Sequence, residues 1–369
     1  MKSAIIYLTD LNEAELSKTM IFDRYLIDYS IAELKRLDID TIYAIGDIDT
    51  DVTVRRESLN EVFEELKGTK GKTILLSPFY PLISKEDYER LLEKEENAVF
   101  VDKDENIVPV FAIANDKLSD YDKVSYEGVE IKEENAKRFN NVKDISVFRK
   151  IIRKRINERW LDKGVIFPDP DNTTIGLNVF IDRNTYVHPN TVISGRCIIG
   201  KNNVIGEGSR LNDVVIGDNN RIECSRIDNS VIHNNCYIGP DAIIFEKSEL
   251  FDDVSIGSYV RINDVSIGKR SSINHLSYIG DARIGQDVVI GSGVSTVNSD
   301  RRSKQSTIIR DHSTIGSNSS LIAPLTIGEY AMIGAGSTID SDVRDGDLAI
   351  ARIYQQNKKG YGYKYNKED

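Results

Sequence analysis

Side chains able to bind or activate a small molecule are few in this chain and unevenly placed. The segment Ser292-Gly293-Val294-Ser295-Thr296-Val297-Asn298-Ser299-Asp300-Arg301-Arg302-Ser303-Lys304 ends in a cluster of cations, in a chain whose net charge is −11. Loops that interrupt a rigid scaffold concentrate binding groups, so this segment reads as an anion-binding flap, with a solvated excursion as the plainer alternative. Among the histidines, His275 lies in His275-Leu276-Ser277-Tyr278 and is a candidate general base at neutral pH; a structural histidine on a coil is the competing reading. His188, His233 and His312 have no supporting context and read as surface residues. Cys197, Cys224 and Cys236 form neither a disulfide framework nor a CxxC pair, and read as small buried side chains in a reducing compartment. No metal ligand set is expected.

A nucleotide site is expected to be missing from the first half. The apolar run Ser3-Ala4-Ile5-Ile6-Tyr7-Leu8 is followed by Thr9-Asp10-Leu11-Asn12-Glu13-Ala14-Glu15, and the first glycine of the chain is Gly46. A phosphate-cradling loop after a first strand needs glycine so that backbone N–H groups can approach the ligand, and acids there repel a triphosphate.

The elements that must position these groups come in two kinds. After the first strand, a helical pattern covers Leu26 to Leu34, a strand Thr41 to Ile45, a helix Leu59 to Leu66 and a strand Lys72 to Leu76. Such alternation predicts a βαβ domain with a parallel sheet. From Asn141 to Lys163 the pattern is helical, with Val147, Ile151, Ile152, Ile156 and Trp160 on one face, and reads as a strut between domains. Beyond it a period of six takes over: Ile175, Ile181, Val187, Ile193, Ile199, Ile205 and Leu211, then Ile238 to Ile262, Ile267 to Ile279 and Ile315 to Ile339 in the same step. Glycine often follows the aliphatic residue, as in Ile199-Gly200 and Ile327-Gly328. Six fits neither a helix nor a simple strand, but one short strand plus one corner does. Three such units close a triangular coil that buries its aliphatic positions against the coils above and below.

Length and composition bound the rest. The chain has 369 residues, enough for two or three domains. Its 48 Lys and Arg against 59 Asp and Glu argue against nucleic acid or an anionic membrane held by bulk charge. No apolar run approaches the length that spans a bilayer, and Met1 to Leu8 lacks a secretory pattern, so a cytoplasmic location is expected.

The repeats and several longer stretches resemble the bifunctional N-acetylglucosamine-1-phosphate uridyltransferase and glucosamine-1-phosphate N-acetyltransferase family of bacteria. The resemblance runs from about Asn140 to Tyr361. It is carried by Arg155-Ile156-Asn157-Glu158-Arg159, Pro168-Asp169-Pro170-Asp171-Asn172-Thr173, His275-Leu276-Ser277-Tyr278-Ile279-Gly280-Asp281-Ala282, Gly316 to Pro324, and Ala349-Ile350-Ala351-Arg352. It implies a truncated α/β nucleotidyltransferase-like (Rossmann-like) domain over residues 1–140 and a linker helix over 141–163. A left-handed parallel β-helix of hexapeptide repeats over 164–352 and a tail over 353–369 follow. It also implies a homotrimer.

The family's signatures are eroded in the first half: its glycine signature survives at best as Ser17-Lys18, and Phe79 replaces the carboxylate that would hold Mg²⁺. Uridylyl transfer and its Mg²⁺ site are therefore expected to be lost. In the repeats, the resemblance assigns acetyl-CoA to Ser292, Asn298, Ser299, Ser317, Ala335 and Arg352, the general base to His275, and acceptor contacts to Tyr278 and Lys304. The acceptor side departs from the family. Phe245 replaces a phosphate-binding Arg, Asn263 a phosphate-binding Lys and Val289 an Asn near the amine, while Arg261 stands where a carboxylate would orient His275. The expected function is acetyl transfer from acetyl-CoA to an amino sugar or another small acceptor, less anionic than a sugar 1-phosphate. The alternative is a non-catalytic paralogue that regulates or scaffolds the active enzyme.

Overall fold

The computed structural model describes residues 2–8, 15–46, 54–299 and 302–364. The chain divides into two compact units, Met1–Arg159 with Thr174–Val179, and Trp160–Thr173 with Phe180–Asp369. No helix among the described residues is long and apolar enough to cross a membrane.

The first unit runs β1 (Ser3–Tyr7), α1 (Leu26–Lys35), β2 (Thr41–Ile45), β3 (Val54–Arg56), α2 (Leu59–Leu66), β4 (Lys72–Leu76), α3 (Lys85–Leu92), β5 (Ala98–Val101), β6 (Ile107–Ala114), β7 (Glu127–Glu130) and α4 (Ile145–Asp162). The continuous apolar runs of β1, β2 and β4 are buried along nearly their whole length, as central strands covered on both faces require. Ser58 and Ser84 start α2 and α3 by accepting hydrogen bonds from the N–H groups of Glu61 and Asp87. The sheet order is β3-β2-β1-β4-β6-β5-β7. Ile5 of β1 lies opposite Tyr43 and Leu75 in parallel register, so β1, β2 and β4 run the same way, and β4 is added on the side of β1 opposite to β2 and β3.

The sheet is mixed rather than wholly parallel: β6 runs antiparallel to both β4 and β5. The cause is the short Asp102–Asn106 turn, closed by the Asp102 N–H donating to the Asn106 carbonyl at 2.9 Å with Glu105 at φ 64°. Such a link makes a hairpin, whereas a parallel neighbour needs a long crossover. In α4 the buried face is Phe148, Ile152, Ile156 and Trp160; Val147 is exposed, one position off that face, and Phe148 packs edge-on against Phe139 in its place. The segment Thr9 to Ala14, where the missing phosphate loop is expected, lies outside the described residues.

The second unit is a parallel β-helix. Val187, Ile205, Ile222 and Ile238 stack at intervals of 18, 17 and 16 residues, and the column continues through Ile256, Ile273, Ile290, Ile315 and Ile333. Ile193, Leu211, Ile227, Ile244, Ile262 and Ile279 form a second column, and Ile199 through Ile327 a third. These side chains are essentially without solvent contact, and each contributes roughly 1.5–3 kcal/mol of burial. The corners need left-handed backbone, which Asn tolerates better than most residues: Asn184, Asn202, Asn219 and Asn235 all have φ near 60°. Their amides form a ladder, Asn184 to Asn202 at 3.4 Å and Asn202 to Asn219 at 3.2 Å.

The excursion from the coil is shorter than the aliphatic pattern predicts. Val294 and Thr296 are buried, and the Thr296 hydroxyl accepts from the Gly280 N–H at 2.8 Å, so the coil continues through Val297 with threonine in an aliphatic position. The chain leaves only after that point and returns at Thr307. Ser299 and Lys304 form an antiparallel bridge, and the Gln305 N–H closes the base on the Asn298 carbonyl at 2.8 Å. Arg301 lies outside the described residues. Cys197 and Cys236 are buried as expected, but Cys224 is exposed because it occupies an outward corner at φ 40°. His233 and His312 are half-buried rather than simple surface residues. His233 stacks on Phe251 and meets Glu249 at 2.8 Å, and His312 stacks on Tyr330.

Candidate functional site

The sequence-nominated residues fall into two groups within the β-helix. The first is a ladder along one corner. His275, Ser292, Ser317 and Ala335 occupy equivalent positions on successive coils: the N–H groups of Gly293, Asn318 and Gly336 donate to the carbonyls of His275, Ser292 and Ser317 at 3.0, 2.8 and 2.8 Å. Side chains knit the same ladder. The Ser292 hydroxyl lies 3.2 Å from His275 Nδ1, and the Ser292 N–H donates to the Ser317 hydroxyl at 3.2 Å. At the far end Arg352 donates to the Ala335 carbonyl at 2.8 Å. His275, Ala335 and Arg352 are exposed, so the ladder presents one accessible edge.

The second group gathers around Gly280. A Cβ there would sit 2.6 Å from both the Tyr278 hydroxyl and the Asn298 amide, so the close approach of those side chains requires glycine. Asn298 Nδ2 reaches the Tyr278 hydroxyl at 3.4 Å and also donates to Asp281. Lys304 spans Asp281 at 3.8 Å and Glu246 at 3.7 Å, tying the returning excursion to two corners of the coil. These ion pairs are exposed at the lysine, and each is worth under about 1 kcal/mol. The geometry thus places Asn298 beside Tyr278 rather than in the corner ladder. Ser299 bridges to Lys304 at the mouth of the excursion.

Asp281 and Glu246 are site residues that the sequence did not single out. Both have left-handed backbone at coil corners, φ 48° and 55°, and one acid at a corner looks like any other until Lys304 folds back onto the pair. Arg261 stacks its guanidinium on the Phe245 ring at 4.8 Å and pairs in register with Tyr278. Asn263 faces Phe245 and Gly280 across the strands, with its buried Oδ1 lacking a donor among the described residues. Val289 lies exposed on the other sheet of the coil, away from the Tyr278 strand.

In the first unit, the Mg²⁺ that the resemblance implies has no fitting ligand at Phe79. That ring is fully buried, and the Arg138 guanidinium stands 5.4 Å from its centroid. A phenyl group offers no oxygen donor, and a neighbouring guanidinium repels a dication.

Residues 175–280 match the family described as GMPPB C-terminal domain, and residues 306–341 match bacterial transferase hexapeptide (six repeats). The second match identifies the coil as the left-handed hexapeptide type. Bifunctional protein GlmU of Shouchella clausii is 43% identical over 210 residues, covering 57% of this chain and 46% of that protein. The protein of the same name from Streptococcus mutans is 37% identical over 258 residues, covering 70% of this chain and 55% of that protein. The repeat region belongs to the GlmU-like family. The chain spans about half the length of the GlmU proteins it matches.

Proposed function

We propose that this chain is an acetyl-CoA-dependent acetyltransferase acting on an amino sugar, an amino-sugar phosphate or a similar small amine or hydroxyl compound, and that it has no uridyltransferase activity. The observation that carries the reading is the continuous ladder from His275 through Ser292, Ser317 and Ala335 to Arg352. Four coil steps at roughly 5 Å each make about 20 Å. That length suits an extended pantetheine arm with its thioester at His275 and its phosphates toward Arg352. In this reading His275 Nδ1–H donates to the Ser292 hydroxyl, leaving Nε2 as the bare base and the Ser292 O–H to face the thioester oxygen. The acceptor nitrogen or oxygen attacks the thioester carbon, Nε2 takes its proton, the C–S bond breaks and the proton passes to the departing thiolate. Tyr278 and Lys304 hold the acceptor, and Asn298 and Ser299 line the junction of the two groups. By the family resemblance the chain works as a homotrimer.

The absence of uridylyl transfer is supported by Phe79 and Arg138, and by the acidic segment after β1. One observation favours the non-catalytic alternative: the ring partner of His275 is a hydroxyl, and Arg261 stands where a carboxylate would fix the imidazole. A thiol-release assay with acetyl-CoA and a panel of amino sugars decides between them. Acceptor-dependent release that falls at least 100-fold in His275→Ala supports the enzyme; no release with any acceptor, from protein that binds acetyl-CoA, supports the scaffold.

A further inference from the structure

The outward column that carries Tyr278 runs back along the preceding coils past a groove of about 450 Å³, lined by Arg226, Asp228, Ile243, Phe245, Glu246 and Arg261. Arg226, Ile243, Arg261 and Tyr278 are consecutive register partners on one outward column. The two arginines are therefore two strands apart, about 10 Å at the backbone, with Arg261 next to Tyr278. Their charges are poorly met by the protein itself. Arg261 rests on the Phe245 ring and has no hydrogen-bond or ion-pair partner among the described residues. Among the described residues Arg226 has only Asp228, at 3.8 Å. The other acid of the groove, Glu246, is engaged by Lys304. A guanidinium presents a planar fork suited to carboxylate or phosphate, and Arg261 lies over the Phe245 ring, 4.8 Å from its centroid.

We propose that this groove is an anion subsite: it takes a phosphate or carboxylate group between Arg261 and Arg226, with the body of the ligand lying over Phe245 and reaching toward Tyr278. Resting on the acetyltransferase reading above, this deepens it. The acceptor is an anionic amino sugar elongated along the coil axis, its charge held by arginines on the N-terminal side of Tyr278. Counted by sequence position, Phe245 and Asn263 look like a loss of positive charge; counted in the groove, Arg226 and Arg261 restore it.

The test is calorimetric titration of the full chain at low salt with inorganic phosphate and, separately, with glucuronate. It compares wild type with Arg261→Gln, Arg226→Gln, the double variant and Arg310→Gln, a distant exposed arginine paired with Asp345. Saturable binding by wild type and Arg310→Gln, weakened at least tenfold in Arg261→Gln and lost in the double variant, is the expected result. Which probe binds tighter tells whether the group is a phosphate or a carboxylate. Affinity within twofold of wild type in the double variant, equal loss in Arg310→Gln, or no saturable binding of either probe overturns the proposal. Acetyl-CoA is titrated into the same preparations. Normal acetyl-CoA binding with an indifferent groove refutes the subsite alone, whereas anion binding at the groove without acetyl-CoA binding refutes the acetyltransferase reading alone.

Discussion

Replacing Ile256 by alanine tests the coil register at its centre. Ile256 is fully buried and stacks between Ile238 and Ile273, while Ser255, its neighbour on the same short strand, faces solvent. The truncation removes three carbon groups, about 2.4 kcal/mol at ~0.8 kcal/mol each. A cavity that neighbours in a stacked column cannot collapse into raises the total to about 4 kcal/mol. Because each coil touches only adjacent coils, the damage is local as well as large. Amide hydrogen exchange quickens first in the strands containing Ile238, Ile256 and Ile273, ahead of the coils near Ile333. Urea unfolding followed by circular dichroism measures the loss, with Ser255→Ala as the control expected within about 0.5 kcal/mol of wild type. A loss under 1 kcal/mol for Ile256→Ala with a larger one for Ser255→Ala would mean that the strand faces the other way, and the whole frame of inward positions would fall with it.

Two further outcomes follow from particular side chains. The Asp252 carboxylate accepts from Lys269 first of all, then from the Asn234 N–H and amide, and these hold it down to about 2. Its folded value lies below its ordinary one, so its contribution is complete above about pH 4 and disappears as pH falls through about 2; Asp252→Asn should flatten the acid limb of a stability-against-pH curve, and an unchanged limb would refute this. Under native conditions a thiol reagent should modify Cys224 first, and slowly, because desolvation and then Asp241 push its thiol up. Burial lifts Cys236 to about 11, so it should react only on unfolding, and mass mapping that finds Cys236 modified in the folded protein contradicts the burial described.

The β-helix was legible because one position in six carries a constraint that few residue types satisfy, and the inward columns from Ile193 to Ile279 follow it directly. The aliphatic pattern misleads where a polar residue meets that constraint by other means. Thr296 bonds its hydroxyl to Gly280 and fills an aliphatic site, so the excursion starts later than the pattern predicts. In the first unit, apolar runs identified β1, β2 and β4, but strand direction at β6 depended on a turn made by Asp102 and Asn106 that has no apolar signal. In α4, Val147 and Phe148 are both apolar, and only packing against Phe139 selects between them. The members of the corner ladder come from the family resemblance, and the structure adds that His275, Ser292, Ser317, Ala335 and Arg352 stand on successive coils. The salt-linked pair Asp281 and Glu246 has no such signal, because it depends on where Lys304 returns.

The most direct measurement for the account is calorimetric titration of acetyl-CoA into the full chain, wild type beside Arg352→Ala. The ladder from His275 to Arg352 predicts saturable one-to-one binding per chain, weakened about tenfold in the variant by loss of one charge-assisted contact to phosphate. Absence of binding by the wild type, or equal affinity in the two proteins, would contradict it.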